Sequence, residues 1–286
     1  MGGARGGTPQ LPEPLHHPVV DTHCHLDVHD RSLHGDVAPD PADALQQAAA
    51  VGVTRVVQIG CDLESARWSV EFAQQHTSVV AGVSLHPNDA ARLVELHGEA
   101  ALDVAFAEIE QLAGAPRVRA VGETGLDYFR TKPAGHLAQQ RSFRLHIDLA
   151  KRLDKVLVIH DRDAHQDVID TLLDQGPPKT VVFHCFSGDA GMARICADHG
   201  WYMSFAGVVT YPNADALRAA LLEVPDDLVL TETDAPYLPP VPNRGKANAS
   251  TLMPFTVRCM AQVRGNTEEA FAAQLWENSE RVFGPW

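Results

Sequence analysis

The sequence predicts an α/β protein of the (β/α)8 TIM-barrel type, as a single domain. Two observations lead there. Eight short β-like segments recur along the 286 residues, seven of them followed by a stretch with helical periodicity. Their starts are spaced by roughly 30 residues on average, the length of one βα unit. The first is PVVDT at 18–22, followed by RVVQIG (55–60), VVAGVSL (79–85) and VRAVGET (118–124). KVLVIH (155–160), TVVFHCF (180–186), WYMSFAG (201–207) and LVLTET (228–233) complete the set. Nearly continuous apolar runs alternating with amphipathic stretches mean a parallel sheet covered by helices. Residues 136–153 and 214–224 supply two such helices, and 254–264 and 267–283 the last two. Eight units favour a closed barrel over an open doubly wound sheet, and no G-x-G-x-x-G follows the first strand to support a dinucleotide-binding version of the latter. No internal linker interrupts residues 18–286, which read as one domain. Residues 1–17, MGGARGGTPQLPEPLHH, read as a flexible arm. They lack the apolar core of a secretion signal.

Composition narrows the function classes. No apolar run approaches the length of a membrane span, so no membrane association is expected. Five cysteines without a C-x-x-C pair point to reduced thiols and a cytoplasmic setting. The net charge of −14 argues against tight nonspecific binding to duplex DNA, which needs a basic face.

Ligand-type residues gather at strand ends. His23 and His25 close the first strand, Glu123 the fourth, His160 the fifth and His184 the sixth, and Asp234 follows the eighth. In a parallel barrel these ends share the C-terminal mouth, where barrel active sites lie. On a strand, residues i and i+2 point the same way, so both imidazoles of His23-Cys24-His25 enter the barrel while Cys24 points away. His184-Cys185 is expected to repeat that alternation. Four imidazoles and two carboxylates suit Zn²⁺, Mn²⁺ or Mg²⁺. Six ligands exceed the need of one open catalytic ion; two divalent ions about 3.5–4 Å apart, bridged by a carboxylate, would use them all. His86, ending the third strand, reads either as a pocket residue or as a hydrogen-bonded loop residue, and is not counted as a ligand. His146, on a helix, carries no functional expectation, and Cys61, Cys196 and Cys259 read as small core residues.

The motifs DTHCHLD (21–27), VGETGLDY (121–128), IHDRDA (159–164), HCFSG (184–188) and ETDAPYL (232–238) resemble, in order and spacing, those of the TatD family of metal-dependent hydrolases. The likeness runs over roughly residues 18–284. It implies a barrel hydrolase with deoxyribonuclease activity, often a 3′-to-5′ exonuclease on single strands. It also implies that His23, His25, Glu123 and Asp234 hold one ion and that Glu123, His160 and His184 hold the second, with Glu123 bridging. Asp234 would hold or deprotonate the attacking water. The sequence departs from the family pattern at Pro212, Asn243 and Ser250, all expected on the substrate rim.

The expected reaction is therefore hydrolysis of a phosphodiester by a metal-activated water, with Asp234 and Glu123 as catalytic residues. Single-stranded DNA ends are the expected partner, weakly bound by a monomer. Arg162 and Arg244 are candidate phosphate contacts; the alternative is a structural ion pair for each. Tyr128 and Tyr237 flank ligand motifs, and either stack on a base or pack in the core. The same site could instead hydrolyse a carboxylic ester or amide, as in a D-aminoacyl-tRNA deacylase or a small amidohydrolase, which the acidic composition favours. A metal-binding regulator without turnover would not need Asp234.

Overall fold

A computed structural model describes residues 9–29 and 39–286. Its strands are β1 (Val19–Cys24), β2 (Val53–Gly60), β3 (Val79–Val83), β4 (Val118–Asp127), β5 (Val156–Arg162), β6 (Val181–Phe183), β7 (Tyr202–Phe205) and β8 (Val229–Thr231). They take sheet positions in chain order, β1 through β8, and alternate with helices. This is the (β/α)8 class that the strand spacing predicts. The described residues fall into two compact units, Met1–Val57 with Gly188–Arg281 and Gln58–Ser187 with Val282–Trp286.

In the second unit β3, β4, β5 and β6 pair in parallel. They are covered by α2 (Leu63–Gln75), α3 (Pro87–His97), α4 (Glu99–Ala113), α5 (His136–Leu153) and α6 (His165–Gln175). Helix α5 shows how the pattern produces the packing. Ala138, Gln139, Ser142, Phe143, His146, Ile147, Leu149 and Ala150 are buried, a stripe at helical spacing. Burying side chains such as Phe143 and Ile147 stabilises the fold by about 1.5–3 kcal/mol each. Helix α2 starts at a capping box, in which Asp62 accepts from the Ser65 N–H and the Ser65 side chain from the Asp62 N–H.

In the first unit β7 and β8 pair in parallel, with α1 (Pro41–Ala50), α7 (Ala190–Asp198), α8 (Asp215–Glu223), α9 (Met253–Arg264) and α10, the terminal helix Glu268–Phe283. The expected arm at 1–17 lies partly outside the described residues. Residues 9–17 contain no helix or strand, yet Leu15 is buried and its N–H donates to Val51 O at 3.1 Å. Among the described residues no helix is long and apolar enough to cross a membrane.

Candidate metal-binding site

Each unit carries a cluster of ligand-type side chains at strand ends. In the first, β1 ends at Cys24, and His23 and His25 are both buried with ring centroids 5.1 Å apart. Cys24 turns away between them, its thiol 3.6 Å from Val57 O, as strand alternation requires. The segment after β8 lies alongside: Asp234 N–H donates to His23 O at 2.9 Å and His25 N–H to Ala235 O at 2.8 Å. Asp234 has φ 54°, a left-handed conformation that Asp tolerates better than most residues. Its Oδ1 stands 3.4 Å from His25 Nε2. Each of His23, His25 and Asp234 offers a ligand atom within 4.8 Å of the others.

Asp21, fully buried, anchors this arrangement and was not anticipated. It accepts from Thr233 N–H at 2.9 Å, Thr233 Oγ1 at 2.5 Å and Ser250 Oγ at 2.7 Å. Burial pushes its carboxyl up to about 6, and those hydrogen bonds limit the rise. Ser250 is thus an internal donor, not a rim residue. Asn243 is also buried, exchanging hydrogen bonds with the Gln10 backbone. Both expectations of rim positions are corrected, because each side chain is itself buried and committed to an internal hydrogen bond.

In the second unit Glu123 is the hub. Its Oε2 lies 2.5 Å from His184 Nε2 and 3.2 Å from His160 Nδ1, and its Oε1 lies 3.3 Å from Cys61 Sγ. Glycines make this approach possible. A Cβ at Gly122 would collide with Val158 O, and one at Gly125 with His160 O, so only glycine lets β4 come this close to β5. Burial would raise the Glu123 carboxyl, but His184, His86 and His160 together hold it well below the usual carboxylate range.

Two expectations change here. Strand β6 stops at Phe183 and Cys185 takes φ 42°. His184 therefore stands at the first residue of a turn, while its N–H still donates to Ile159 O at 3.1 Å and continues the β5–β6 ladder, and the alternation is broken only at Cys185. Cys61 is half-buried against the Glu123 carboxylate and is not a core residue.

Asp127 was missed. Its Oδ2 lies 3.3 Å from His160 Nε2, while Nδ1 of that ring faces Glu123. A carboxylate behind a histidine fixes its orientation and raises its basicity as a ligand. Burial alone would raise the Asp127 carboxyl; His160, the Arg130 N–H and Asn88 bring it well below its ordinary value. The signal was present in the sequence, since residues 123, 125 and 127 share one face of an extended strand.

The rim candidates fall as follows. The Arg162 guanidinium lies 4.0 Å over the exposed Phe129 ring, and that of Arg244 lies 4.4 Å over Tyr211. Tyr128 stacks on His136 at 3.9 Å, and its hydroxyl donates to Asp167 at 2.7 Å. Tyr237 is 42% exposed, its ring 6.3 Å from that of His25.

A family model for TatD related DNases matches residues 20–284, nearly the whole chain. This chain belongs to the TatD family. The Mycobacterium tuberculosis protein described as uncharacterized metal-dependent hydrolase TatD is 43% identical over 93% of this chain and 98% of its own length. Escherichia coli YcfH, also an uncharacterized metal-dependent hydrolase, is 37% identical over 93% and 95%. Among solved structures, the E. coli TatD homologue YjjV superposes with a TM-score of 0.82 at 28% identity, covering 93% of this chain and 98% of that one. The TatD-family hydrolase of Entamoeba histolytica, at 19% identity, shares the fold with a TM-score of 0.78 over 95% and 100%.

The residues present fit the metal dependence of the TatD family. Imidazoles grouped around a carboxylate form a mixed nitrogen and oxygen donor set of the kind that holds zinc or manganese. The chain is a metal-dependent hydrolase.

Proposed function

We propose that this hydrolase cleaves phosphodiesters at the ends of single-stranded DNA, working from the 3′ side with two divalent ions, zinc, magnesium or manganese. The observation that carries the reading is the pair of carboxylate-centred histidine clusters. By the family resemblance His23, His25 and Asp234 would hold one ion, and Glu123, His160 and His184 the other. Ions held there supply Lewis acidity, making water more acidic and offsetting charge on the phosphoryl oxygens.

The protein's own groups do the rest. Asp234 turns Oδ1 toward His25; its Oδ2 makes no hydrogen bond among the described residues, so it is available to accept the proton of the attacking water. Arg162 and Arg244 make no ion pair or side-chain hydrogen bond among the described residues. This favours phosphate contact over the structural pairs that were the alternative, since a guanidinium matches two phosphate oxygens. Tyr128 and the neighbouring Phe129 place aromatic surface beyond the end of β4 for base contacts. The reading extends to a cytoplasmic monomer that holds strand ends weakly.

The net charge of −14 keeps an ester or amide substrate, such as an aminoacyl-tRNA, as the second reading. The discriminating experiment offers metal-reconstituted protein end-labelled single-stranded DNA, duplex DNA, RNA and aminoacyl-tRNA. Stepwise shortening of single-stranded DNA from its 3′ end is expected. Deacylation of aminoacyl-tRNA with intact DNA would replace the proposal by the second reading.

A further inference from the structure

His86 stands beside the Glu123 cluster, and its geometry separates it from the metal ligands. It is the N-cap of α3, where its Nδ1 accepts the Asn88 backbone N–H at 3.1 Å. A backbone amide can only donate, so Nδ1 carries the lone pair, and the neutral ring must carry its proton on Nε2. That Nε2–H points to the same face as Glu123 and His160. It lies 3.9 Å from Glu123 Oε1, beyond hydrogen-bond range, and the ring sits edge-on to His160 with centroids 4.6 Å apart. Among the described residues Nε2 has no hydrogen-bond partner, and the side chain is 11% exposed.

A protonated ring nitrogen cannot coordinate a cation. What it can do is donate to an anionic oxygen. We infer that His86 is a substrate-contacting residue whose Nε2–H donates to a nonbridging oxygen of the phosphoryl group under attack. The inference rests on the phosphodiester reading above and adds a donor to it. The N-cap bond locks the tautomer before substrate arrives, so the donor is aimed in advance at an oxygen whose negative charge grows during the reaction. Proximity alone would group His86 with Glu123 and His160 as a third ligand; the occupied Nδ1 argues against it.

Two substitutions separate the roles of the two ring nitrogens. Asparagine is a strong N-cap and can accept from the Asn88 N–H, but it is too short to replace Nε2. Glutamine reaches the Nε2 position with an amide donor. The test uses inorganic phosphate as the probe, titrated calorimetrically into manganese-loaded wild type, His86→Asn and His86→Gln. Metal content and thermal midpoint are measured on each protein. His86→Asn is expected to fold and to keep the wild-type metal content while binding phosphate roughly tenfold to a hundredfold more weakly, the usual range for losing a hydrogen bond to a charged group. His86→Gln is expected to recover part of that loss. Loss of a metal equivalent in His86→Asn would make the residue a ligand, and unchanged phosphate affinity would leave it only a helix cap; either overturns the inference. Wild type that holds metal yet binds no phosphate would overturn the phosphodiester reading itself. Ring ¹⁵N shifts, with His86 assigned by difference from His86→Asn, test the tautomer independently of any substrate. They should show Nε2–H, and an Nδ1–H ring would contradict the inference.

Discussion

At the scale of single residues, function turns on which atoms are committed and which are left for chemistry. Asp234 receives its position from its backbone, through the N–H to His23 O, and turns only Oδ1 of its carboxylate to His25. Asparagine at 234 keeps the shape and one ligand oxygen but cannot take a proton. Asp234→Asn should therefore fold and retain most of its metal while turnover falls by at least about a hundredfold, the lower end of general-base contributions. Metal analysis beside single-turnover kinetics would check it, and a folded, loaded variant with a near-normal rate would make Asp234 merely structural. His146 shows the opposite case, a histidine committed wholly to structure. Its Nε2 accepts Leu85 N–H at 3.1 Å and its Nδ1–H donates to Ser142 O at 2.7 Å, holding the turn that leads to His86. Burial lowers its pKa to about 4 from 6.5. The folded state thus prefers the neutral ring, and the unfolded chain binds more protons between those values. Stability should fall as pH drops from about 6.5 to 4 and level off below, by about 3 kcal/mol at most from this group. His146→Gln should flatten that part of the urea-midpoint profile relative to wild type, whereas parallel profiles would remove His146 as the cause.

Among the elements, β4 carries the most function for its length. Its GETG segment couples close strand approach to the position of Glu123. Gly125 combines φ 137° with a backbone neighbour where a Cβ would sit. Gly125→Ala should cost about 1–3 kcal/mol in backbone strain alone, and it should lower metal content by shifting Glu123 from His160. Full metal content in a destabilised Gly125→Ala protein would uncouple the two. The elements were largely legible in the sequence, because apolar runs and helical stripes report burial directly. Helix α5 covers the anticipated 136–153. His23 and His25 obeyed strand alternation. What alternation could not convey was a strand ending early: β6 is three residues long, and the backbone turns left-handed at Cys185. Asp21, Ser250 and Asn243 escaped for a related reason. Their partners lie 212, 229 and 233 residues away in sequence, and no local pattern marks a buried polar group whose satisfaction is tertiary.

For the whole molecule, charge and metal content make the decisive statements. On the proposed reading, an acidic protein that held a nucleic acid through two ions and a few rim residues would neutralise few phosphates. Its affinity for single-stranded DNA should fall only shallowly with salt, at about −0.7 in log–log slope per neutralised phosphate. A measured slope steeper than about −4, equivalent to roughly six phosphates, would demand a basic surface that the composition does not supply. The proposal that the chain hydrolyses single-stranded DNA with two divalent ions meets its most direct test in a titration of metal-stripped protein with manganese while hydrolysis of end-labelled single-stranded DNA is followed. Turnover should be absent without metal, rise with added ion and saturate at two equivalents per chain. Full activity in the stripped protein, or saturation at a single equivalent, would contradict it.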